Sequence, residues 1–417
     1  MFNLNNKTVY FIGLFILITI DVFSQPIFSA EINKIADEYV ADKHNKGLVI
    51  GIVHGEETEI KGYGVLSDNK KVKPDENTIF EVGGITNVFT TSLMMLESYA
   101  GKFSVGNVVQ DYAPTGVIIP NYQHLVCTEY SLPPDFDGYD FDNRVVSCQP
   151  DPSLPAICIS FCDLASHTSG LPSEPKGFFR KFFHKKNPYK NYTKEKLYKE
   201  LPKYTPVNAP GICFNYSNIG MALLGNIMAD ANENSYNNLL DQVILQPLKM
   251  EYSGIELNRT QLKYLAQGHT KKGRKTNYWE LSGLAPAGGL KSSAGDMVKF
   301  LQANLSLNPT EQLIVDAFEQ THEPHLENFG SILGRKTSSG YGWFISDLTQ
   351  KKNTPVVWHT GATGGFRAFI GFIKTTNTGV VILSNSANGV DEMGFDILGI
   401  LNSENNKKIP SLLGENK

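Results

Sequence analysis

The feature that most constrains this chain is where its strand-like runs fall. "GLVIGIVHG" and "TEIKGYGVL" lie between 47 and 66, joined across a short Gly-Glu-Glu turn, while "GYGWFISDL", "FRAFIGFIK" and "GVVILSN" lie between 340 and 385. Each is rich in β-branched or aromatic residues and bounded by turn residues, the pattern of strands. Between 205 and 310 the periodicity is mostly helical, and "NIGMALLGNIMADAN" (218–232) is the clearest amphipathic run. Strands at both ends with helices between them imply one sheet assembled from both termini, with a helical part inserted in its middle.

That reading gives an α+β fold: an antiparallel sheet flanked by helices, with an inserted, mainly helical domain. Residues 31–404 are expected to form a single unit. Its α/β part covers about 31–105 and 335–404, its helical part about 106–334, and 405–417 is a tail. Apolar positions Ile32, Ile35, Ala36 and Tyr39 mark a helix face over 31–44, and a last helix is expected over about 389–404. The Pro- and Asp-rich stretch 115–157 has little periodicity and reads as a loop-like insertion.

Length and composition agree with this plan. The chain has 417 residues, 41% of them hydrophobic and 19% charged, which suits a globular protein with a sizeable core. A net charge of −4 gives no reason to expect nucleic acid as a partner. Lys7 precedes the apolar run "TVYFIGLFILITI", closed by Asp21. The run is shorter than the roughly 20 residues that cross a bilayer, so it reads as a signal peptide cleaved after Ser24 or Ala30, in preference to a retained membrane anchor. Of the five cysteines, Cys127 and Cys148 flank the insertion and are the expected disulfide; the odd count leaves at least one thiol free or paired between chains. The cysteine spacings match no zinc pattern, and no metal or cofactor is expected.

"IFEVGGITNVFTTSL" (79–93) reads as a strand end, two glycines and an amphipathic helix running to about Tyr99. "LASHTSGLP" (164–172), "YSN" (216–218), "PAGGLKSSAGDM" (286–297) and "HTG" (359–361) follow in that order. Each is cheap alone. Together, and in this order, they resemble the serine β-lactamase and penicillin-binding-protein superfamily, in its class C β-lactamase, DD-peptidase and esterase branch. The resemblance spans about 31–404 and implies a β-lactamase/transpeptidase-like fold.

It also implies roles. The S-x-x-K motif of that family sets a nucleophilic serine at a helix start and a lysine one turn later on the same face. Those positions here hold Gly84 and Asn87. The Y-x-N motif falls on Tyr216, the proton carrier, and Asn218, the substrate-amide partner. The third motif falls on His359, Thr360 and Gly361, and the oxyanion hole on the backbone of Gly84 and Ala362. Gly170 and Pro172 shape a turn in which His167 is structural, and Gly288 and Gly289 are expected to pack close to the pocket wall.

A covalent ester needs a side-chain oxygen, and Gly84 has none. Thr86 lies roughly 200° around the helix from position 84 and should point away. A phenol has an ordinary pKa near 10, so Tyr216 needs nearby positive charge to act as a base; Asn87 and a mostly neutral His359 supply little. Residues 173–204 carry ten Lys or Arg against three Glu, +7, so the rest of the chain carries −11. Phe178, Phe179, Phe182 and Phe183 interleave with that charge, which suits either contact with an anionic membrane or cell-wall surface or a solvated lid packed on the helical part. Three functions remain open: a pseudo-hydrolase binding a peptide- or cell-wall-like ligand, an active hydrolase using Tyr216, His359 and water, and a surface-interaction protein acting through 173–204.

Overall fold

The computed structural model describes residues 27–67, 71–131, 144–178, 187–307, 311–349 and 352–408. The apolar run 8–20, the segment 179–186 with Phe179, Phe182 and Phe183, and 409–417 lie outside the described residues.

Twelve strands are described. They are β1 (Gly47–His54), β2 (Glu57–Gly64), β3 (Ile79–Glu81), β4 (Leu125–Ser131), β5 (Arg144–Pro150), β6 (Lys291–Ser293), β7 (Leu326–Ile332), β8 (Arg335–Ser339), β9 (Phe344–Thr349), β10 (Lys352–Ala362), β11 (Arg367–Ile373) and β12 (Thr378–Ser384). Eight form one antiparallel sheet in the order β2-β1-β12-β11-β10-β9-β8-β7. The two ends of the chain meet where β1 pairs with β12, Leu48 opposite Ser384 through His54 opposite Thr378. The expected sheet, built from both termini and flanked by helices, is the one observed.

Side chains alternate across this sheet as the pleat requires. On β1, Val49 and Val53 join the large core shared with the helical part, while Leu48, Ile50 and Ile52 join a second core beneath the terminal helices Ala30–Ala41 and Asp391–Lys408. Both faces are covered, so β1 is buried along nearly its whole length. On the first face, helix Ala294–Asn304 comes so close that a Cβ on Gly51 would lie 2.6 Å from Val298 Cγ2.

Three expectations are corrected. The helix Thr86–Tyr99 is not amphipathic: Thr86 through Glu97 are all buried, because the helix runs through the middle of the helical part. Two of its polar side chains find partners inside the fold, Thr90 Oγ1 donating to Pro286 O at 2.6 Å and Thr91 Oγ1 to Tyr341 O at 2.9 Å. The 115–157 stretch is not only loop; β4 and β5 pair as a ribbon in which Cys127 faces Cys148, and these two form the disulfide. Third, strand structure starts before 335, since β7 opens at Leu326 and belongs to the main sheet.

Packing about the central helix generates a test. Phe89 is fully buried and stacks on Phe300 with ring centroids 3.9 Å apart. Phe89→Ala is expected to cost about 3–5 kcal/mol, and Leu262→Ala, at a position 52% exposed, less than about 0.5 kcal/mol. Denaturant midpoints of the two variants check this.

Candidate active site

The site lies where the lead-in to helix Thr86–Tyr99 meets β10. Strand β3 ends at Glu81, Gly83 takes a left-handed φ of 51°, and a tight turn over Gly83–Ile85 starts the helix. Three glycines allow β10 to approach this turn. A Cβ on Gly361 would lie 1.8 Å from Val82 O, and one on Gly83 would lie 2.7 Å from Ala362 N. One on Gly84 would lie 2.9 Å from Thr360 O, 3.1 Å from Tyr216 Oη and 3.2 Å from His359 Cε1. A Cβ at position 84 would require these neighbours to shift. Gly361 therefore serves as a close-packing residue and not as a ligand contact, since it does not line the cavity beside it.

Asn87, where the resemblance places a lysine, lies one turn along the helix. It is fully buried, and its Nδ2 donates to Tyr216 Oη at 2.7 Å. An amide thus fills the place where a cation would lower the phenol's pKa. Burial instead pushes the Tyr216 hydroxyl well above its ordinary value, against the lowering by Asn87 and with a further rise from Glu174. Thr86 points away, as helical geometry requires: its Oγ1 donates to Gly83 O at 2.7 Å and accepts from Leu290 N–H at 3.1 Å.

His359 stacks on Phe344, ring centroids 5.1 Å apart, and its Nδ1 lies 2.7 Å from Thr360 O. A carbonyl only accepts, so Nδ1 carries the proton of the neutral ring and Nε2 presents a lone pair. No described protein group pairs with that Nε2. Burial lowers the pKa of His359 to about 4, despite the opposing pull of Thr360. The ring is neutral at pH 7.

Tyr216 is placed by His167, in the structural part expected of it. His167 sits at a φ of 59°, fully buried, and its Nδ1 accepts from Ser217 N–H at 3.1 Å. Its carbonyl accepts from Asn215 N–H at 2.7 Å, and its ring lies 4.4 Å from that of Tyr216. His167 is a positioning residue for the Tyr216 loop; burial, with a smaller contribution from His359, lowers its pKa to about 3. Ser217 then caps helix Asn218–Ala231, accepting from Gly220 N–H at 2.8 Å.

The cavity in front of these groups has a volume of about 370 Å³. Gly84, Tyr216, Asn218, His359, Thr360 and Ala362 all line it, so most of the residues anticipated from sequence come together; Gly288 is in its wall, while Gly289 packs behind, a Cβ there lying 2.9 Å from Ala285 Cα. Two carboxylates complete the surroundings of the site: Glu174, which no motif marks, and Glu81, which the sequence shows only as a flank of the 79–93 run. Glu174, in the basic segment, accepts from Asn218 Nδ2 at 2.7 Å and from Tyr189 Oη at 3.0 Å. Burial raises its pKa and these two hydrogen bonds oppose the rise. Glu81 is buried below the site and accepts from Trp279 N–H at 2.7 Å, fixing the backbone of an indole that lines the cavity. Phe178 turns inward, stacking on Tyr189 at 4.8 Å.

A sheet joined from both termini, a helix start facing its third-motif strand, and a tyrosine between them define a serine-hydrolase fold of the penicillin-recognising kind. The chain belongs to the beta-lactamase family, whose model matches residues 32–402. It is 24% identical over 404 residues to a beta-lactamase of Providencia stuartii, covering 89% of this chain and 91% of the relative. To the D-alanyl-D-alanine-carboxypeptidase/endopeptidase AmpH of Escherichia coli it is 21% identical, with 90% and 91% covered. Among solved structures, the class C beta-lactamase of Rhodobacter sphaeroides matches with a TM-score of 0.70 at 20% identity, covering 90% of this chain and 99% of that one. The octameric penicillin-binding protein homologue of Pyrococcus abyssi matches with a TM-score of 0.70 at 23% identity, covering 91% and 78%.

Two site histidines give a pH test. Their folded pKa values, about 3 for His167 and about 4 for His359, lie below the roughly 6.5 of an unfolded histidine. Between those values the unfolded chain binds more protons, so both residues make the fold less stable as pH drops through that window. Ring proton resonances of His167 and His359 are expected to stay unshifted from pH 8 to 5. Titration of either near pH 6.5 would contradict the neutral assignment.

Proposed function

We propose that this protein is an exported pseudo-hydrolase that holds a peptide-like or cell-wall-like small ligand in the cavity between Gly84, Tyr216 and His359 without forming an acyl-enzyme. One observation carries the reading. At the helix start the chain offers only a hydrogen atom, and Thr360 O, Tyr216 Oη and His359 Cε1 crowd the space a side chain would need. Acyl transfer by the family's covalent route has no side-chain oxygen at position 84 to start from. The peptide-like ligand is supported by a relative whose name is a D-alanyl-D-alanine-carboxypeptidase/endopeptidase.

A second reading, a working hydrolase, is favoured by the unpaired Nε2 of His359 beside the cavity and by the family's oxyanion positions, Gly84 and Ala362, both lining it. A water held there would meet a weak base, given the lowered pKa of His359 and the raised one of Tyr216. Serine proteases stripped of their catalytic groups retain roughly 10³–10⁴-fold over water, which sets the scale for such a route. The anionic-surface reading of 173–204 has less support, because Phe178 faces the cavity and Tyr189 and Tyr192 are buried.

Export rests on the N-terminal apolar run. Of its two cleavage positions, the one after Ser24 keeps Phe28, packed against Tyr63, and Ser29, which caps helix Ala30–Ala41. Cleavage after Ala30 removes both. Purified protein is expected to hydrolyse neither nitrocefin nor p-nitrophenyl acetate above buffer, and to resist fluorophosphonate labelling. Turnover that disappears in Tyr216→Phe or His359→Gln would establish the hydrolase reading instead. N-terminal sequencing of exported protein is expected to begin at Gln25.

A further inference from the structure

The cavity holds one ionisable carboxylate and an unusual amount of aromatic surface. Phe178 stacks on Tyr189 with ring planes 19° apart, and Tyr189 meets Trp279 edge-on at 5.2 Å, so the three form a continuous wall. Tyr216, Phe344 and the neutral His359 face the cavity as well, with Leu281 and Leu284 also in its lining. Glu174 sits among these rings. No Lys or Arg lines the cavity among the described residues.

A carboxylate has about four acceptor positions across its two oxygens. Glu174 uses one on each, for Asn218 Nδ2 and Tyr189 Oη. Both partners are donors that favour the ionised form, and each oxygen keeps acceptor capacity for a donor entering from the cavity. The faces of Trp, Tyr and Phe carry negative quadrupole charge and attract cations. An incoming carboxylate would instead meet a like charge with no described cation in the lining to offset it.

We propose that the ligand of this cavity carries a cationic ammonium group, which pairs with the Glu174 carboxylate and lies against the Phe178–Tyr189–Trp279 wall. This names the substrate class of the binding function proposed above and rests on it. Asn218, committed to Glu174, then serves mainly to orient the carboxylate, in place of the substrate-amide role that the resemblance implies. The amine of a small peptide fits, and so does a quaternary ammonium; Glu174 distinguishes them, since only the former donates a hydrogen bond.

The test uses four probes of similar size on the full folded protein: benzylamine, benzyltrimethylammonium, benzyl alcohol and benzoate, titrated by calorimetry. Both cations are expected to bind at least about tenfold more tightly than the alcohol and the acid, the scale of one charge pairing with a carboxylate supported by cation–π contact in a partly desolvated site. Glu174→Gln, which keeps the shape of the side chain, is expected to abolish the preference; an unchanged melting temperature confirms that the variant is folded. Tyr189→Phe provides a second arm, keeping the ring and freeing Glu174 of one donor, and is expected to retain the preference for cations. Benzylamine binding more tightly than benzyltrimethylammonium identifies a hydrogen-bonding amine, and the reverse order a quaternary ammonium. Equal binding of benzoate and the cations, binding of none of the four, or a preference that survives Glu174→Gln in folded protein would overturn the proposal. Hydrolytic turnover would defeat the pseudo-hydrolase reading while leaving this charge preference intact, so the two failures are separable.

Discussion

The site depends on how closely β10 approaches the turn that starts the central helix. Val82 O, Gly83 and Gly84 lie against Thr360, Gly361 and Ala362 at distances that no side chain on the three glycines would allow. Gly83 must also adopt a left-handed φ, so two separate constraints select glycine there. The sheet supplies the rigid side of this seam, with β10 held between β9 and β11, and the central helix supplies the other. Gly84, His359, Thr360 and Ala362 are positioned from these two bodies and Tyr216 from its own loop, which His167 anchors, while Glu174, Phe178, Tyr189 and Trp279 reach the cavity from other segments.

Around that seam the charges differ from those that the S-x-x-K resemblance implies. Where the S-x-x-K resemblance places a cation beside the tyrosine, Asn87 donates a neutral hydrogen bond, and the tyrosine stays a phenol. His359 is deeply buried and neutral. The charge that remains in the cavity wall is negative, on Glu174, surrounded by aromatic rings. These features are mutually consistent under the proposed non-covalent reading: where no nucleophile needs activation, a buried lysine would carry a desolvation cost with no catalytic return.

Much of this was legible in the sequence, for identifiable reasons. Strand runs at both ends encoded the mixed-order sheet because each has the β-branched and aromatic content of a buried strand. Gly84, Asn87, Tyr216 and His359 could be placed because short motifs in fixed order mark them. Glu174 could not, because its importance comes from Asn218 and Tyr189 arriving at it from distant segments, which no local pattern encodes. The helix over 86–99 reads as amphipathic because Thr90, Thr91 and Ser92 are polar; all three are buried, and Thr90 and Thr91 donate to carbonyls inside the fold, so the polar stripe carries no information about solvent. Gly361 read as part of a ligand motif, and its packing role became visible only from the 1.8 Å separation that a Cβ would have from Val82 O.

The central claim is that this cleft cannot capture a carbonyl covalently. Intact-protein mass spectrometry after prolonged incubation with excess benzylpenicillin tests it most directly. An unchanged mass is expected at all times. A mass increased by one penicilloyl group, mapped by peptide analysis to any residue lining the cavity, would contradict it.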